Sequence, residues 1–229
     1  MKRDLRIVGI AGPAGSGKDY LAGKLCNAIN GVQYSFAYPI KQAICAMLEV
    51  GEEIFNDRTQ KESNLPDVGT SPRVLAQTLG TEWGRQTLAA ITGRNIWVDL
   101  AKKAYSALKT ENEHWHAQDW ADKDLDIELG FPPPDFMMIS DVRFRDEVDW
   151  ILSEGGAVIY LKSREPSPIS SHLSESFDWV AEMEFFWSLG TAVVENDRVT
   201  DRCVDDSIVF LKAVYGDYVG EKITFETYR

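Results

Sequence analysis

The sequence predicts an α/β protein with a five-stranded parallel sheet flanked by helices. Three observations lead there. An apolar run at residues 7–11 passes directly into Gly12-Pro13-Ala14-Gly15-Ser16-Gly17-Lys18-Asp19 and then into a helical pattern. Four more short apolar runs, at 32–36, 136–140, 157–161 and 191–195, are bounded by turn residues. From Gly51 to about Pro134 the periodicity is helical, so an insertion large enough to form its own lobe separates the second strand from the third. Continuous apolar runs joined by crossover helices belong to a sheet covered on both faces, with right-handed connections.

The elements follow in chain order. After the glycine-rich loop, Tyr20, Leu21, Leu25, Ala28 and Ile29 recur at helical spacing until Asn30-Gly31 stops the helix. The second strand is expected over 32–36. Pro39 can begin a helix carrying Ile40, Ala43, Ile44, Met47 and Leu48 on one face. Within the insertion, residues 74–79, 83–91 and 97–108 are the clearest helices. Residues 111–128 carry seven acids against one lysine, with Trp115 and Trp120 among them, and read as a solvated loop or hairpin. The pair His114 and His116 would suit a strand-edge metal site, but no third ligand stands nearby, and the metal reading is the weaker one. Pro132-Pro133-Pro134 ends the insertion, and the strand at 136–140 is closed by Asp141. A helix over 145–154 turns Val148, Ile151 and Leu152 inward and stops at Gly155-Gly156. The strand at 157–161 precedes a polar stretch, 162–175, whose two prolines and serine run read as a mobile loop over the strand ends. After the fifth strand, Asn196-Asp197 turns the chain into a helix carrying Val204, Ile208, Phe210, Leu211 and Val214.

Composition excludes several function classes. A chain of 229 residues with 44% hydrophobic content fits one domain with insertions. A net charge of -12 and a pI near 4.7 argue against nucleic-acid or anionic-membrane surfaces, so an anionic ligand must be held by a local basic cluster. Cys26, Cys45 and Cys203 are isolated and predict neither a disulfide framework nor a zinc ribbon, as expected in a reducing compartment. The apolar run after the charged start is too short for a signal peptide or a membrane span. A soluble, cytoplasmic protein is expected.

The strand, loop and helix around Lys18 form G-x-x-x-x-G-K in its proper setting. Gly12, Ala14, Gly15, Ser16 and Gly17 supply backbone N–H groups that can turn around an anion, the helix adds its positive N-terminal end, and Lys18 reaches toward β- and γ-phosphates. Asp19 stands where a Ser or Thr hydroxyl normally meets Mg²⁺; a carboxylate there either serves the metal or stabilises the first helical turn. Asp141, at a strand end, suits a carboxylate that holds a magnesium-bound water, and Arg143 can point into the same crevice. The alternatives are an N-cap aspartate and an arginine paired to an acid. Residues 73–85 hold Arg73, Gln77 and Arg85: two guanidinium forks suit a phosphate dianion, and the amide can read a base edge. An ordinary salt-bridged surface helix explains the same residues equally well.

Five blocks occur in order: Gly15-Ser16-Gly17-Lys18-Asp19, Phe36-Ala37-Tyr38-Pro39-Ile40-Lys41, Leu79-Gly80-Thr81-Glu82 with Arg85, Ile139-Ser140-Asp141-Val142-Arg143-Phe144, and His172-Leu173-Ser174-Glu175. Together they resemble the bacteriophage deoxynucleoside monophosphate kinase family, over about residues 5 to 215, and Asp19 in the loop is itself a trait of that family. Any single block is weak; five in order are fairly specific. The resemblance implies a P-loop kinase fold in one domain: a core at 1–50, 135–162 and 190–229, an acceptor-binding insertion at about 51–134, and a lid at about 163–189. It implies ATP-dependent phosphorylation of a deoxynucleoside 5′-monophosphate, with Mg²⁺ held through Asp19 and Asp141. Lys18 and the loop amides would hold ATP, and Arg143 would bridge donor and acceptor phosphates. Arg164 would be a lid arginine, and Lys41, Arg73, Gln77, Arg85 and Glu175 would belong to the acceptor site. Lys41 reads equally as a solvated helix lysine, Arg164 as a loop arginine, and His172 with Glu175 as a cap around Ser174. The acidic insertion and Arg145 depart from the family pattern and bear on acceptor choice. Kinases acting on dephospho-coenzyme A or a ribonucleoside monophosphate, a P-loop switch, and a binding protein without catalysis are the competing readings. Against a guanine-reading switch, residues 195–198 are Glu-Asn-Asp-Arg; against lost catalysis stand Lys18, Asp141 and Arg143. No nucleic-acid or membrane partner is expected, the location would be the host cytoplasm if the chain is phage-encoded, and a homodimer remains open.

Overall fold

The computed structural model describes residues 4–117, 133–163 and 190–216, which fall into two compact units, Met1–Tyr34 with Ala104–Arg229, and Ser35–Lys103. In the first unit five strands form one sheet: β1 (Arg6–Ala11), β2 (Gly31–Tyr34), β3 (Phe136–Val142), β4 (Ala157–Ser163) and β5 (Thr191–Asn196). Their order is β2-β3-β1-β4-β5, and every pairing is parallel. The α/β class and the five-stranded parallel sheet expected from the sequence are therefore present.

The central position of β1 explains its composition. Ile7, Val8, Ile10 and Ala11 are fully buried because both faces of the strand are covered. On one face Val8, Ile10, Met138, Ile159 and Leu161 pack with Leu21 and Leu25 of α1 (Lys18–Ala28) and with Val204 and Leu211 of α9 (Arg202–Tyr215). Each such aliphatic side chain contributes about 1.5–3 kcal/mol by leaving water. The other face lies against α8 (Arg145–Ser153): a Cβ on Gly9 would meet Ile151 Cδ1 at 2.6 Å, so glycine leaves the space that the Ile151 side chain fills.

Between β1 and β3 the register slips. Gly9 pairs with Ile139 but Ala11 pairs with Val142, so β3 carries one extra residue in that interval. The alternation of faces shifts with it. Met138 belongs to the α1 side and Ser140 reaches α1, whereas Val142 lies beside Gly9 on the α8 side. Asp141 is the residue at the shift.

The second unit holds α2 (Tyr38–Leu48), α3 (Glu53–Asn56), α4 (Arg58–Glu62), α5 (Pro72–Gln77), a π-helical segment (Thr78–Leu88), α6 (Ala89–Thr92) and the start of α7 (Ile96–Ala117). Ser71 caps α5 by accepting from the Val74 amide at 3.3 Å, and Pro72 follows at the first helical position.

Several local expectations change. The helices expected at 74–79 and 83–91 run into one another, and Gly80 and Gly84 between and within them serve close packing. A Cβ on Gly80 would meet Ile40 Cδ1 at 2.9 Å, and one on Gly84 would meet the Trp97 indole at 2.4–2.6 Å. Trp97 Nε1 donates to the Gly80 carbonyl at 2.7 Å, which fixes the ring against the wide π turn. Tyr20 is not a core residue: it is 49% exposed, and its hydroxyl donates to Asp201. That bond, with Lys24 at 3.1 Å, holds the Asp201 carboxyl below its ordinary range. Met47 is 66% exposed, and Cys45 takes the inward position beside Ile44. Helix α7 continues to Ala117, so residues 111–117 are helical rather than loop. His114 and His116 then stand on a helix, where positions i and i+2 do not share a face. The rest of the acidic stretch, 118–128, lies outside the described residues, as does most of the polar loop at 162–175. Among the described residues no helix is long and apolar enough to cross a membrane.

Candidate functional site

The glycine-rich loop lies at the carboxyl end of the middle strand, where open parallel sheets place their ligands. Gly12, Gly15 and Gly17 all adopt positive φ, 145°, 73° and 95°, a backbone path that L side chains rarely take. At Gly12 a Cβ would also meet the Leu161 carbonyl oxygen at 2.5 Å, and at Gly17 the Asn196 amide nitrogen at 2.6 Å. The loop is therefore hemmed in by β4 and by the end of β5. Lys18 opens α1 and its ammonium donates to the carbonyls of Gly12, at 2.8 Å, and Pro13, at 2.7 Å. It thus lies across the loop where the charge of an anion would be met. Ala14 and Gly15 stay accessible, whereas Ser16 is fully buried and its hydroxyl has no hydrogen-bond partner among the described residues.

The second residue of α1, Asp19, is exposed and accepts from Ser140 Oγ at 2.7 Å; Ser140 in turn accepts from Gln33 Nε2 at 3.1 Å. This chain of side chains links the start of α1 to β3 and β2. Asp141 follows Ser140 at the register shift and is half-buried. Beyond it, Glu147 is 1% exposed, and its Oε2 accepts from the backbone N–H of Arg143 at 2.7 Å and of Phe144 at 3.0 Å. Phe144 precedes α8 but has no capping side chain, so the carboxylate three residues on caps the helix start in its place. The segment that carries Arg143 is held at both ends, by β3 and by Glu147.

Asp19 and Asp141 are hard oxygen donors, and no group of three or more His, Cys, Asp or Glu able to hold a metal occurs among the described residues. Two carboxylates without a full protein cage suit Mg²⁺, which keeps its waters and is bound together with substrate phosphates. In donor chemistry alone the two carboxylates are compatible with that ion.

The second unit contains Lys41, Arg73, Gln77 and Arg85. Lys41 lies in the first turn of α2, with Nζ 5.9 Å from the centre of the Phe55 ring. Arg73 Nη1 is paired with Glu62 Oε1 at 2.8 Å. Gln77 ends α5, and Arg85 is half-buried within the π-helical segment. The structure thus brings the loop, Asp19, Asp141 and Arg143 together in one unit and carries these four in the other. Arg164, His172 and Glu175 lie outside the described residues.

No family model matches the chain. Over 214 residues it is 28% identical to a protein of Acanthamoeba polyphaga mimivirus named "Putative deoxynucleotide monophosphate kinase". That match covers 88% of this chain and 97% of the other, so it takes in residues of both units.

Sequence reasoning missed three contributors. Glu147 reads as one acid among several on α8, although its spacing from Phe144 is that of a capping box. In the sequence, Asn196 and Arg198 bear only on the guanine-reading motif that they lack. In the structure Asn196 Nδ2 donates to the Ser16 carbonyl at 2.8 Å, and Arg198 Nη2 donates to that of Gly15 at 2.8 Å. Their positions at the end of an apolar strand and just beyond it are the available signal.

Proposed function

We propose that the protein transfers the γ-phosphoryl group of ATP to the 5′-phosphate of a deoxynucleoside monophosphate, giving ADP and the deoxynucleoside diphosphate. The observation that carries this reading is the glycine-rich loop at the carboxyl end of β1, with Lys18 at 2.8 and 2.7 Å from two of its carbonyls. The mimivirus protein, alike over most of both chains and named as a kinase of this kind, supports the choice of acceptor.

In this reading Gly12 and residues 14–17 cradle the ATP phosphates, and Lys18 exchanges its carbonyl partners for phosphate oxygens. Arg143 places a guanidinium between donor and acceptor, where charge develops as the phosphoryl group moves. An acceptor oxygen attacks the γ-phosphorus, a new P–O bond forms, the bond to the β-phosphate oxygen breaks, and ADP leaves. No general base is needed, because the acceptor phosphate is already ionised at neutral pH. Asp19 and Asp141 would hold Mg²⁺, which when bound neutralises charge on the β- and γ-oxygens. Lys41, Arg73, Gln77, Arg85 and Glu175 are assigned to the acceptor, and Arg164 to the exclusion of water during transfer.

An ADP-release assay over all deoxy- and ribonucleoside monophosphates tests the proposal. ADP should appear quickly only when a deoxynucleoside monophosphate is present. Rapid ATP turnover without an acceptor, or preference for a ribonucleotide or dephospho-coenzyme A, would overturn it.

A further inference from the structure

The turn after β5 grips the outer side of the glycine-rich loop. Asn196, only 6% exposed, uses both ends of its amide: Nδ2 donates to the Ser16 carbonyl at 2.8 Å, and Oδ1 accepts from the Arg198 N–H at 2.9 Å. Arg198 has a left-handed backbone, φ 59°, that this bond helps to hold. From there its Nη2 donates to the Gly15 carbonyl at 2.8 Å and to Ser163 Oγ, at the end of β4, at 3.0 Å. The turn itself is fixed by Asp197, whose carboxylate accepts from the N–H groups of Val199 and Thr200 at 2.9 Å each and from the Thr200 hydroxyl at 2.8 Å.

A trans peptide points its carbonyl and the next N–H in opposite directions. Holding the carbonyls of Gly15 and Ser16 toward the β5 turn therefore aims the N–H groups of Ser16 and Gly17 away from it, into the loop, where that of Ser16 donates to the Pro13 carbonyl at 3.2 Å. Glycine at 15 and 17 would otherwise leave these peptides free to rotate, and a loop that must be ordered on binding loses affinity. The guanidinium also adds positive charge beside an anion site in a chain of net charge -12.

We propose that Asn196 and Arg198 are positioning residues for triphosphate binding, which preset the peptide planes of the glycine-rich loop from outside the cradle. The proposal rests on the reading of that loop as the ATP site. Neither residue needs to touch the nucleotide. Asn suits its place because it is short and both donates and accepts, and Arg because it reaches the loop and β4 together.

Calorimetric titration of the full chain with inorganic tripolyphosphate and with ATP tests this, alongside melting of the unliganded protein. Asn196→Leu adds no charge, keeps most of the volume and loses the donor to Ser16 together with the acceptor for Arg198. Arg198→Met keeps the exposed stem and loses the guanidinium, and because the residue is exposed this variant should fold. Each should weaken tripolyphosphate and ATP to a similar degree, by about tenfold, as expected for one lost charge-assisted or buried hydrogen bond. Arg198→Lys should recover part of the loss, and the KM of the monophosphate acceptor should stay within about twofold. A purely architectural role would lower the melting temperature and leave both dissociation constants unchanged, and that result overturns the proposal. Wild-type protein that binds neither probe would instead overturn the ATP reading itself.

Discussion

Glu147 offers the sharpest link between the fold and the proposed chemistry. Its carboxylate is buried and accepts the N–H groups of Arg143 and Phe144 at 2.7 and 3.0 Å. A hydrogen bond to a charged group contributes about 1.5–3 kcal/mol, and both donors sit on half-buried residues that water can partly reach. The lower end of that range applies, so Glu147→Ala should destabilise by about 3 kcal/mol and lower the melting temperature by roughly 6–12 °C. Glu147→Gln keeps an oxygen in place but removes its charge, and about half the loss is expected. The kinetic effect should be the more telling one. A shift of about 1 Å in a catalytic group can cost about 10² in rate, so Glu147→Gln should lower kcat roughly 10- to 100-fold well below its melting temperature. ATP affinity should hardly change, because the loop to which the proposal assigns ATP is not touched. Steady-state kinetics at saturating ATP and acceptor, with calorimetric melting, measure both quantities. A Gln variant that melts lower yet keeps wild-type kcat would show that the placement of Arg143 does not govern the rate. An Ala variant that melts within a degree or two of wild type would refute the capping argument itself.

Three further outcomes are expected. Asp19→Asn retains an oxygen for Ser140 and should raise the Mg²⁺ concentration for half-maximal rate with little change in apo stability; a loss of about 0.3–1 kcal/mol with an unmoved magnesium dependence would mark a helix-end charge only. Gly84→Ala should destabilise the protein by about 2 kcal/mol, since overpacking a buried ring costs about 1–3 kcal/mol and its bond to Gly80 is worth about 1, against a helix-propensity gain of about 1; a raised melting temperature would contradict this. Burial raises the phenol pKa of Tyr105 and Tyr215, whose hydroxyls donate to the carbonyls of Leu5 and Ile7, so the folded state keeps protons that the unfolded chain releases above about pH 10. Their stabilisation is complete below that pH and is lost as pH rises, with a slope of up to about 1.4 kcal/mol per pH unit for each; denaturant melts from pH 9 to 11 should show the fall, and Tyr215→Phe should flatten it.

What the sequence makes legible is what local pattern controls. β1, its loop and α1 are read correctly because apolar run, glycine spacing and helix start are contiguous. Errors arise where a neighbour decides. Tyr20 falls at helical spacing with Leu21 and Leu25, but its hydroxyl is engaged by Asp201, 181 positions away. Strand β2 was expected at 32–36 and runs instead from Gly31 to Tyr34, because it is an edge strand paired with β3 alone and its limits follow that partner rather than its own apolar residues. Gly80 and Gly84 suggest interruption until Ile40 and Trp97 are seen to occupy the space of their missing side chains. Among the site residues, Lys18, Asp141 and Arg143 stand in recognisable settings. Glu147, Asn196 and Arg198 act by side chain to backbone bonds, which leave no periodic trace.

The bracing of the loop also bears on why a carboxylate is compatible with position 19. Three glycines at positive φ make the path of the loop possible but do not select it. Selection comes from both sides of β1. Asn196 and Arg198 tie the loop to β5 and β4, while Asp19, through Ser140 and Gln33, ties the start of α1 to β3 and β2. A threonine or serine at position 19 would bring a hydroxyl that can itself donate, whereas the carboxylate accepts the hydrogen bond of Ser140 and sets an acidic group at the helix end, where it is favoured. The same hydrogen bond orients it. An oriented, exposed carboxylate next to an anion site is repelled by a bare triphosphate and attracted by one that carries a divalent cation. Under the proposed function, discrimination between free and metal-bound nucleotide would then follow from the residue that departs from the usual loop pattern, and Asp19→Asn should bind the metal-free triphosphate more tightly than the parent does.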